Sequence, residues 1–406
     1  MTDFIPYNRQ WIDEDDINAV VEVLKSDWIT QGPAIENFEK ALADYCGAKY
    51  AVALSSGTSA LHAAYFVSGI GLNDEIITSP VTFAATANAA LYLGARPVFV
   101  DIEPDTGNIN PEFVKKAITK RTKAVVPVHY GGHPVDLQAI YEIAEKHNLL
   151  VIEDACHAFG AKYKRQEAKD NRLRRPAEVG RQNKDKAWIK VGSCKHSDMT
   201  VFSFHPVKQI TTGEGGAVLT NSREHFEKLL MFRSHGITKK GLKKVSDGGW
   251  YYEMQLLGYN YRITDIQASL GISQMKKLDS FIARVREIAG KYGEAFAGNP
   301  YFNIPVEKDY ASSAYHLYPI RLNDKYKKKK KGIFNKLREK GLGVQVHYIP
   351  VYMHPYYQRL GYEEGLCPFA EDFYQREISI PIYPAMRDKD VRHVILKVKK
   401  CLEGLR

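Results

Sequence analysis

The residue most readily turned to covalent chemistry in this chain is Lys208. It ends the run Ser203-Phe204-His205-Pro206-Val207-Lys208, which continues into Thr211-Thr212-Gly213-Glu214-Gly215-Gly216. Met199–Phe204 before it and Ala217–Thr220 after it are apolar, β-branched and aromatic at strand length, and Gly and Pro punctuate the gap. A lysine in a short connection between buried strands is more easily desolvated than one on a helix face. Desolvation lowers its pKa and frees the amine as a nucleophile. The plain alternative is a solvated loop lysine.

Such a lysine needs partners, and the surrounding pattern supplies a place for them. Strand-like runs fall at Tyr50–Leu54, Glu75–Thr78, Arg96–Val100, Thr122–Val128, Leu149–Ile152, Met199–Phe204 and Ala217–Thr220. Helical patterns separate the earlier ones, at Ser59–Val67, Ala84–Leu93, Pro111–Lys116 and Leu137–His147. This alternation predicts an α/β fold with a mostly parallel, seven-stranded, doubly wound sheet. Ligands of such sheets bind beyond the carboxyl ends of the strands. Those ends carry Ser55–Thr58, Ser79–Phe83, His129–Gly132, Glu153–His157 and His205–Lys208, where nearly all the polar and aromatic chemistry of this half is gathered.

Three ends have a definable chemistry. Ser55-Ser56-Gly57-Thr58-Ser59 passes from strand to helix, so its N–H groups and hydroxyls could hold a phosphate, or could simply cap the helix. Asp154 stands at the end of a buried strand, where a carboxylate needs a partner; a pyridinium N–H, a salt bridge or a capped N–H would each serve. Phe83 is a core residue unless a flat ring must be stacked upon. A phosphate cradle, an acid, an aromatic platform and a loop lysine together describe a pyridoxal 5'-phosphate site.

With 406 residues the chain suggests two domains. The texture shifts to longer helices after Asn221, which places a large domain at 1–257 and a smaller C-terminal α/β domain at 258–406. The latter would be built from Ala314–Arg321, Gly332–Lys340, Gly343–His347 and Glu377–Ile380. Five scattered cysteines without a C-x-x-C pair argue for reduced thiols and a cytoplasmic protein. Neither a membrane-length apolar run nor a signal-like start is present. The net charge of +10 is concentrated in Lys162–Lys195 and Lys327–Lys331 with few interleaved aromatics. That pattern speaks against nucleic acid and allows an anionic small substrate. None of the 13 histidines forms an H-x-x-x-H metal motif with an intervening acid, so no metal is expected.

With these segments in hand, the chain resembles the DegT/DnrJ/EryC1/StrS sugar aminotransferases of fold type I. The matching stretches are Thr30–Pro33, Ser55–Leu61, Thr82–Asn88, Glu153–Ala158, Ser203–Gly216, Phe232–Gly236 and Tyr259–Arg262. The resemblance implies that Lys208 carries the cofactor covalently, Asp154 meets the pyridine nitrogen and Phe83 stacks on the ring. Gly57, Thr58, His157 and Ser203 would also touch the cofactor, joined by Asn260 from the second subunit of an obligatory homodimer. Family members move an amino group from glutamate to a keto sugar on a nucleotide diphosphate. A lysine at 208, where the family's dehydratases have histidine, favours amination. Val201–Lys208 with Ile210–Thr212, and Gln345–Pro350, look like the pseudaminic acid branch, which aminates C4 of UDP-2-acetamido-2,6-dideoxy-β-L-arabino-hexos-4-ulose. By that likeness Tyr7, Asp27, Trp28, Ile29 and Thr30, with Gln345, Val346, His347 and Tyr348, contact cofactor or UDP-sugar. A basic stretch at 165–190 departs from the family pattern. Other readings are a transaminase for another UDP- or dTDP-keto sugar, a pyridoxal phosphate dehydratase or lyase, and a non-catalytic binding protein.

Overall fold

Alternation along each strand decides how the main sheet is buried. The structure, a computed structural model, describes residues 4–164, 188–244 and 248–403. Seven strands form its central sheet: β1 (Tyr50–Leu54), β2 (Glu75–Thr78), β3 (Arg96–Phe99), β4 (Thr122–Val126), β5 (Leu150–Asp154), β6 (Met199–Ser203) and β7 (Gly216–Thr220). Their order is β1-β7-β6-β5-β4-β2-β3. β7 is antiparallel to both neighbours, and the remaining pairs are parallel. Ala51 and Ala53 of β1 face one apolar core, Val52 and Leu54 the other. Helices Pro33–Cys46, Leu137–His147 and Asp265–Met275 cover the first face; Gly57–Val67, Ala85–Leu91 and Arg223–Phe232 cover the second. A fully buried side chain such as Phe38 contributes roughly 1.5–3 kcal/mol over its exposed state, so both layers hold the sheet.

A second core surrounds the antiparallel sheet of β8 (Phe302–Asn303), β9 (Tyr318–Leu322) and β10 (Glu377–Ile380). Helices Lys330–Glu339 and Asp388–Glu403 pack on it through Ile333, Leu337, Val391, Val394 and Val398. The helix Leu278–Phe296 spans the two cores: Leu278 packs in the first, Val285, Ile288 and Tyr292 in the second. Ile263 and Ala268, which follow the expected division at 257/258, lie in the first core, and Ile5 near the start lies in the second. Ile5 is held there by paired backbone bonds to Gly341 and Gly343.

Local expectations fared unevenly. Gly343–His347 is not a strand; only Gln345 makes a bridge, to Ser379. Among the longer helices after Asn221, Asp265–Met275 ends just before a new one starts at Leu278. Of the basic stretch at 165–190, residues 165–187 lie outside the described residues. Its flanks Lys162–Lys164 and Trp188–Lys190 pair antiparallel.

Candidate active site

The carboxyl ends of β1, β5 and β6 converge because β7 begins between two of them, with Gly216 opposite both Leu54 and Ser203. Only glycine fits: a Cβ on Gly216 would lie 2.5 Å from the Ser56 carbonyl oxygen. Ser56 caps the helix Gly57–Val67, accepting from Ser59 N–H at 3.0 Å, and the Ser59 hydroxyl accepts from Ser56 N–H at 2.9 Å. The N–H groups of Gly57 and Thr58 open the helix and have no intrahelical acceptor. With the positive end of the helix dipole they suit a bound anion. A Cβ on Gly57 would stand 2.8 Å from Ser203 Cβ, so the glycine keeps open the space between the helix start and Ser203.

Asp154 is the last residue of β5, and the side chain is buried. Its Oδ2 accepts from the Thr86 hydroxyl at 2.6 Å and its Oδ1 from Cys156 N–H at 3.2 Å. Glu153, one residue earlier, points to the opposite face and meets His129, Ser197 and Thr200. Strand alternation therefore separates the carboxylate of the cleft from one that builds the core. Phe83, just ahead of the helix Ala85–Leu91, exposes 63% of its surface, as a ring available for stacking would.

Lys208 lies in a turn whose N–H reaches His205 carbonyl at 2.8 Å. The long loop around it is stapled where Phe204 N–H reaches Gly215 and Thr212 N–H reaches Phe204. Gly213 adopts φ 81°, a left-handed conformation that favours glycine. The surrounding protein desolvates the half-buried Lys208 and lowers its pKa, while Cys156 and Asp154 oppose this. A larger share of its amine is thus uncharged near neutral pH than in a free lysine.

His157 is buried and kept neutral: burial drives its pKa well down, and Lys208, His316 and His347 add to the effect. Its Nε2 is 3.0 Å from the Tyr348 hydroxyl, while its buried Nδ1 has no partner among the described residues. Gln209 donates to the His157 carbonyl, and His316 packs 4.3 Å from the ring. Tyr348 arrives from the second core's side. Gln345 pairs with Ser379 through both backbone groups, and the Tyr130 hydroxyl donates to His347 carbonyl at 2.6 Å. The same packing brings Tyr7 within 5.5 Å of His347, since Tyr7 carbonyl accepts from Ile382 N–H.

Lys208, Asp154, His157, His347 and Tyr348 are thereby gathered around one cleft, with Tyr7 and Phe83 at its sides. Gln345 is exposed and Val346 half-buried on the same loop. Asp27, Trp28, Ile29 and Thr30 are exposed, and their segment is held by Ile263 and Asp265 rather than by the cleft. Asn260 is also exposed, on a loop whose Tyr261 carbonyl accepts Ser55 N–H at 2.8 Å. Sequence reasoning gave no role to Thr86, Gln209 or His316. Thr86 could have been found from its position one helical turn after Phe83; nothing local marks His316, which is 159 residues from its neighbour His157.

The cleft fits pyridoxal phosphate on four counts. It has an anion cradle that a Cβ would fill, an acid at a strand end, an exposed ring, and a buried histidine nitrogen without a partner among the described residues. Known proteins point the same way. The chain is 41% identical over 394 residues to the UDP-4-amino-4,6-dideoxy-N-acetyl-β-L-altrosamine transaminase of Campylobacter jejuni, covering 96% of this chain and 95% of that one. Helicobacter pylori PseC, an aminotransferase involved in the biosynthesis of pseudaminic acid, superposes with a TM-score of 0.87 at 37% identity, over 99% of this chain and 100% of that one. Spr1654 of Streptococcus pneumoniae in its PLP-form does so with a TM-score of 0.87 at 28% identity, over 99% and 100%. Residues 10–399 match the DegT/DnrJ/EryC1/StrS aminotransferase profile, and the chain belongs to that family.

Proposed function

We propose that this chain is a pyridoxal phosphate-dependent transaminase that moves an amino group from glutamate to C4 of a UDP-linked 4-keto-6-deoxy sugar. UDP-2-acetamido-2,6-dideoxy-β-L-arabino-hexos-4-ulose is the preferred acceptor. The observation that carries this reading is the 41% identity, over nearly the whole chain, to a UDP-sugar transaminase. The family's chemistry rests on pyridoxal phosphate, which when bound supplies an electron sink for the carbon being aminated. The chain supplies the rest. Lys208 would hold the cofactor covalently, and its amine would carry the proton between the substrate carbon and the cofactor carbon. Asp154, kept in place by Thr86, holds a proton at the pyridine nitrogen. Gly57, Thr58 and Ser203 bind the phosphate, Phe83 fixes the ring plane, and His157 Nδ1 orients the ring. Tyr7, Asp27–Thr30 and Gln345–Tyr348 form the sugar nucleotide's side of the site.

The reading extends to assembly and location. Trp250, Tyr252, Met254 and Leu257 are 75%, 55%, 65% and 72% exposed just ahead of Asn260. An apolar patch of this kind suits a subunit interface, and a homodimer in which Asn260 completes the partner's phosphate site would cover it. All five cysteines are free, which agrees with a cytoplasmic enzyme. No helix among the described residues is long and apolar enough to cross a membrane.

The test is incubation with glutamate and a panel of UDP- and dTDP-4-keto sugars. The expected outcome is stoichiometric 2-oxoglutarate and a 4-amino product from the UDP-arabino-hexosulose, with Lys208→Ala losing at least about 10³-fold in kcat because nucleophile and proton carrier vanish together. Near-normal amination by Lys208→Ala, or water loss without 2-oxoglutarate, would refute the assignment.

A further inference from the structure

A buried glutamate lies behind the cleft and is used by none of the chemistry above. Glu377 opens β10 and is fully buried. Its two oxygens have unequal duties. Oε2 accepts from the His347 backbone N–H at 2.7 Å, a donor that cannot reverse. Oε1 accepts from the Ser379 hydroxyl at 2.5 Å, and the Ser379 oxygen is 2.9 Å from His347 Nδ1. From this geometry we infer that Glu377, acting through Ser379, sets which ring nitrogen of His347 carries the proton. It thereby decides whether the other nitrogen is a hydrogen-bond acceptor or donor.

The logic is one of counting protons. When Glu377 is ionised, Ser379 spends its only proton on Oε1, so its oxygen can only accept from His347 Nδ1–H. Nε2 is then bare and acts as an acceptor. When Glu377 takes up a proton from solvent, that proton must sit on Oε1, because Oε2 is committed to the backbone N–H. Oε1–H now donates to Ser379, the Ser379 proton turns to Nδ1, and the ring proton must lie on Nε2. The imidazole loses one proton and gains one through exchange with water, so its charge does not change.

The surroundings favour this. Burial pushes Glu377 up to about 7, opposed by Ser379, Lys330 and the His347 amide. His347 is pushed down to about 3, first by burial and then by Lys208, so its ring stays neutral and only its tautomer can vary. Among the described residues, the titratable and charged groups around Glu377 are few. They are His347 and Tyr348 on the loop, Tyr130 after β4, Lys330 on its helix, and Arg321 across the ladder on β9. Tyr130 and Tyr348 are held protonated chiefly by burial. Lys330 is lowered to about 8 and donates to Tyr374 carbonyl. As pH falls Lys330 therefore takes up its proton first, and Glu377 follows near neutrality.

The test is long-range ¹H–¹⁵N correlation on the cofactor-loaded enzyme labelled with ¹⁵N-histidine, with His347 assigned by its loss in His347→Asn. Between mildly alkaline and mildly acidic pH, the His347 protonated nitrogen should change from Nδ1 to Nε2. In Glu377→Gln the amide oxygen must take the backbone N–H, so the amide NH₂ faces Ser379 and the ring should be Nε2–H at every pH. Ser379→Ala keeps the glutamate and cuts the link, so the tautomer should no longer follow pH. An Nδ1–H ring in Glu377→Gln, an unchanging tautomer in the parent, or a parent-like change in Ser379→Ala would each overturn the inference. None of these readings depends on which sugar is aminated.

Discussion

Asp154 depends on a residue that never touches the reacting atoms. Thr86 donates to Oδ2 at 2.6 Å, and its oxygen lies 2.8 Å from the hydroxyl of Thr82 ahead of the helix, so two threonines four residues apart fix one carboxylate oxygen. Thr86→Val keeps the shape of the side chain and removes the donor. A hydrogen bond to a charged group contributes about 1.5–3 kcal/mol, and the lost orientation should appear in cofactor affinity. The expected outcome is a pyridoxal phosphate Kd raised about 10- to 100-fold, since each 1.4 kcal/mol is a factor of ten. Titration followed by the cofactor's absorbance measures it. An unchanged Kd would mean that Thr86 matters only to its own helix.

At the scale of elements, β5 carries two acids with opposite purposes. Asp154 ends in the cleft, whereas Glu153 is buried on the other face with His129 at 2.8 Å, Thr200 at 2.7 Å and the Ser197 hydroxyl. Burial alone would raise the pKa of Glu153, but His129, Ser197 and Thr200 outweigh it and the net shift is downward. A carboxyl with a depressed folded pKa stabilises the fold above its unfolded value of about 4.3, and that stability is lost as pH falls through the folded value. Glu153→Gln should cost about 1–3 kcal/mol at neutral pH, because its amide NH₂ faces hydrogen-bond donors. Its urea midpoint should also fall less steeply below about pH 4.3 than the parent's; parallel acid limbs would exclude Glu153 as the group responsible. The same strand illustrates what a sequence can convey. Apolar, β-branched runs of strand length and the punctuation after each strand made the sheet, the cleft end and Asp154 legible, because those signals are local. The contacts of Glu377 and Ser379 with His347, His316 beside His157, and Ile5 in the second core join residues dozens to hundreds apart. Nothing in their own neighbourhoods announces the pairing. Gly343–His347 misled for a related reason: its apolar alternation is real, but the chain leaves the ladder after Gln345 to carry His347 and Tyr348 to the cleft.

At the scale of the whole molecule, the single chain leaves part of the expected site outside the cleft. Trp28 and Ile29 are 58% and 47% exposed, and Asn260 stands on an exposed loop beside Tyr259 and Leu257. A partner related by a two-fold axis would present each such patch to the other subunit's cleft, since an isologous interface exchanges like for like. This makes a test that point mutants alone cannot. Lys208→Ala removes the amine of a subunit's own site, and Asn260→Ala would remove a phosphate contact from its partner's site. Each variant alone is expected to be inactive or severely slowed, with every site damaged. In a mixed dimer both defects fall on the same site and the other is intact. Co-expressed at equal levels, the two variants should recover roughly a quarter of the parent's rate, the share of undamaged sites in a random two-fold mixture. Sites complete within one subunit would put the two defects in different sites of the mixed dimer. The mixture would then show only the average of the two variants, which would exclude a shared site.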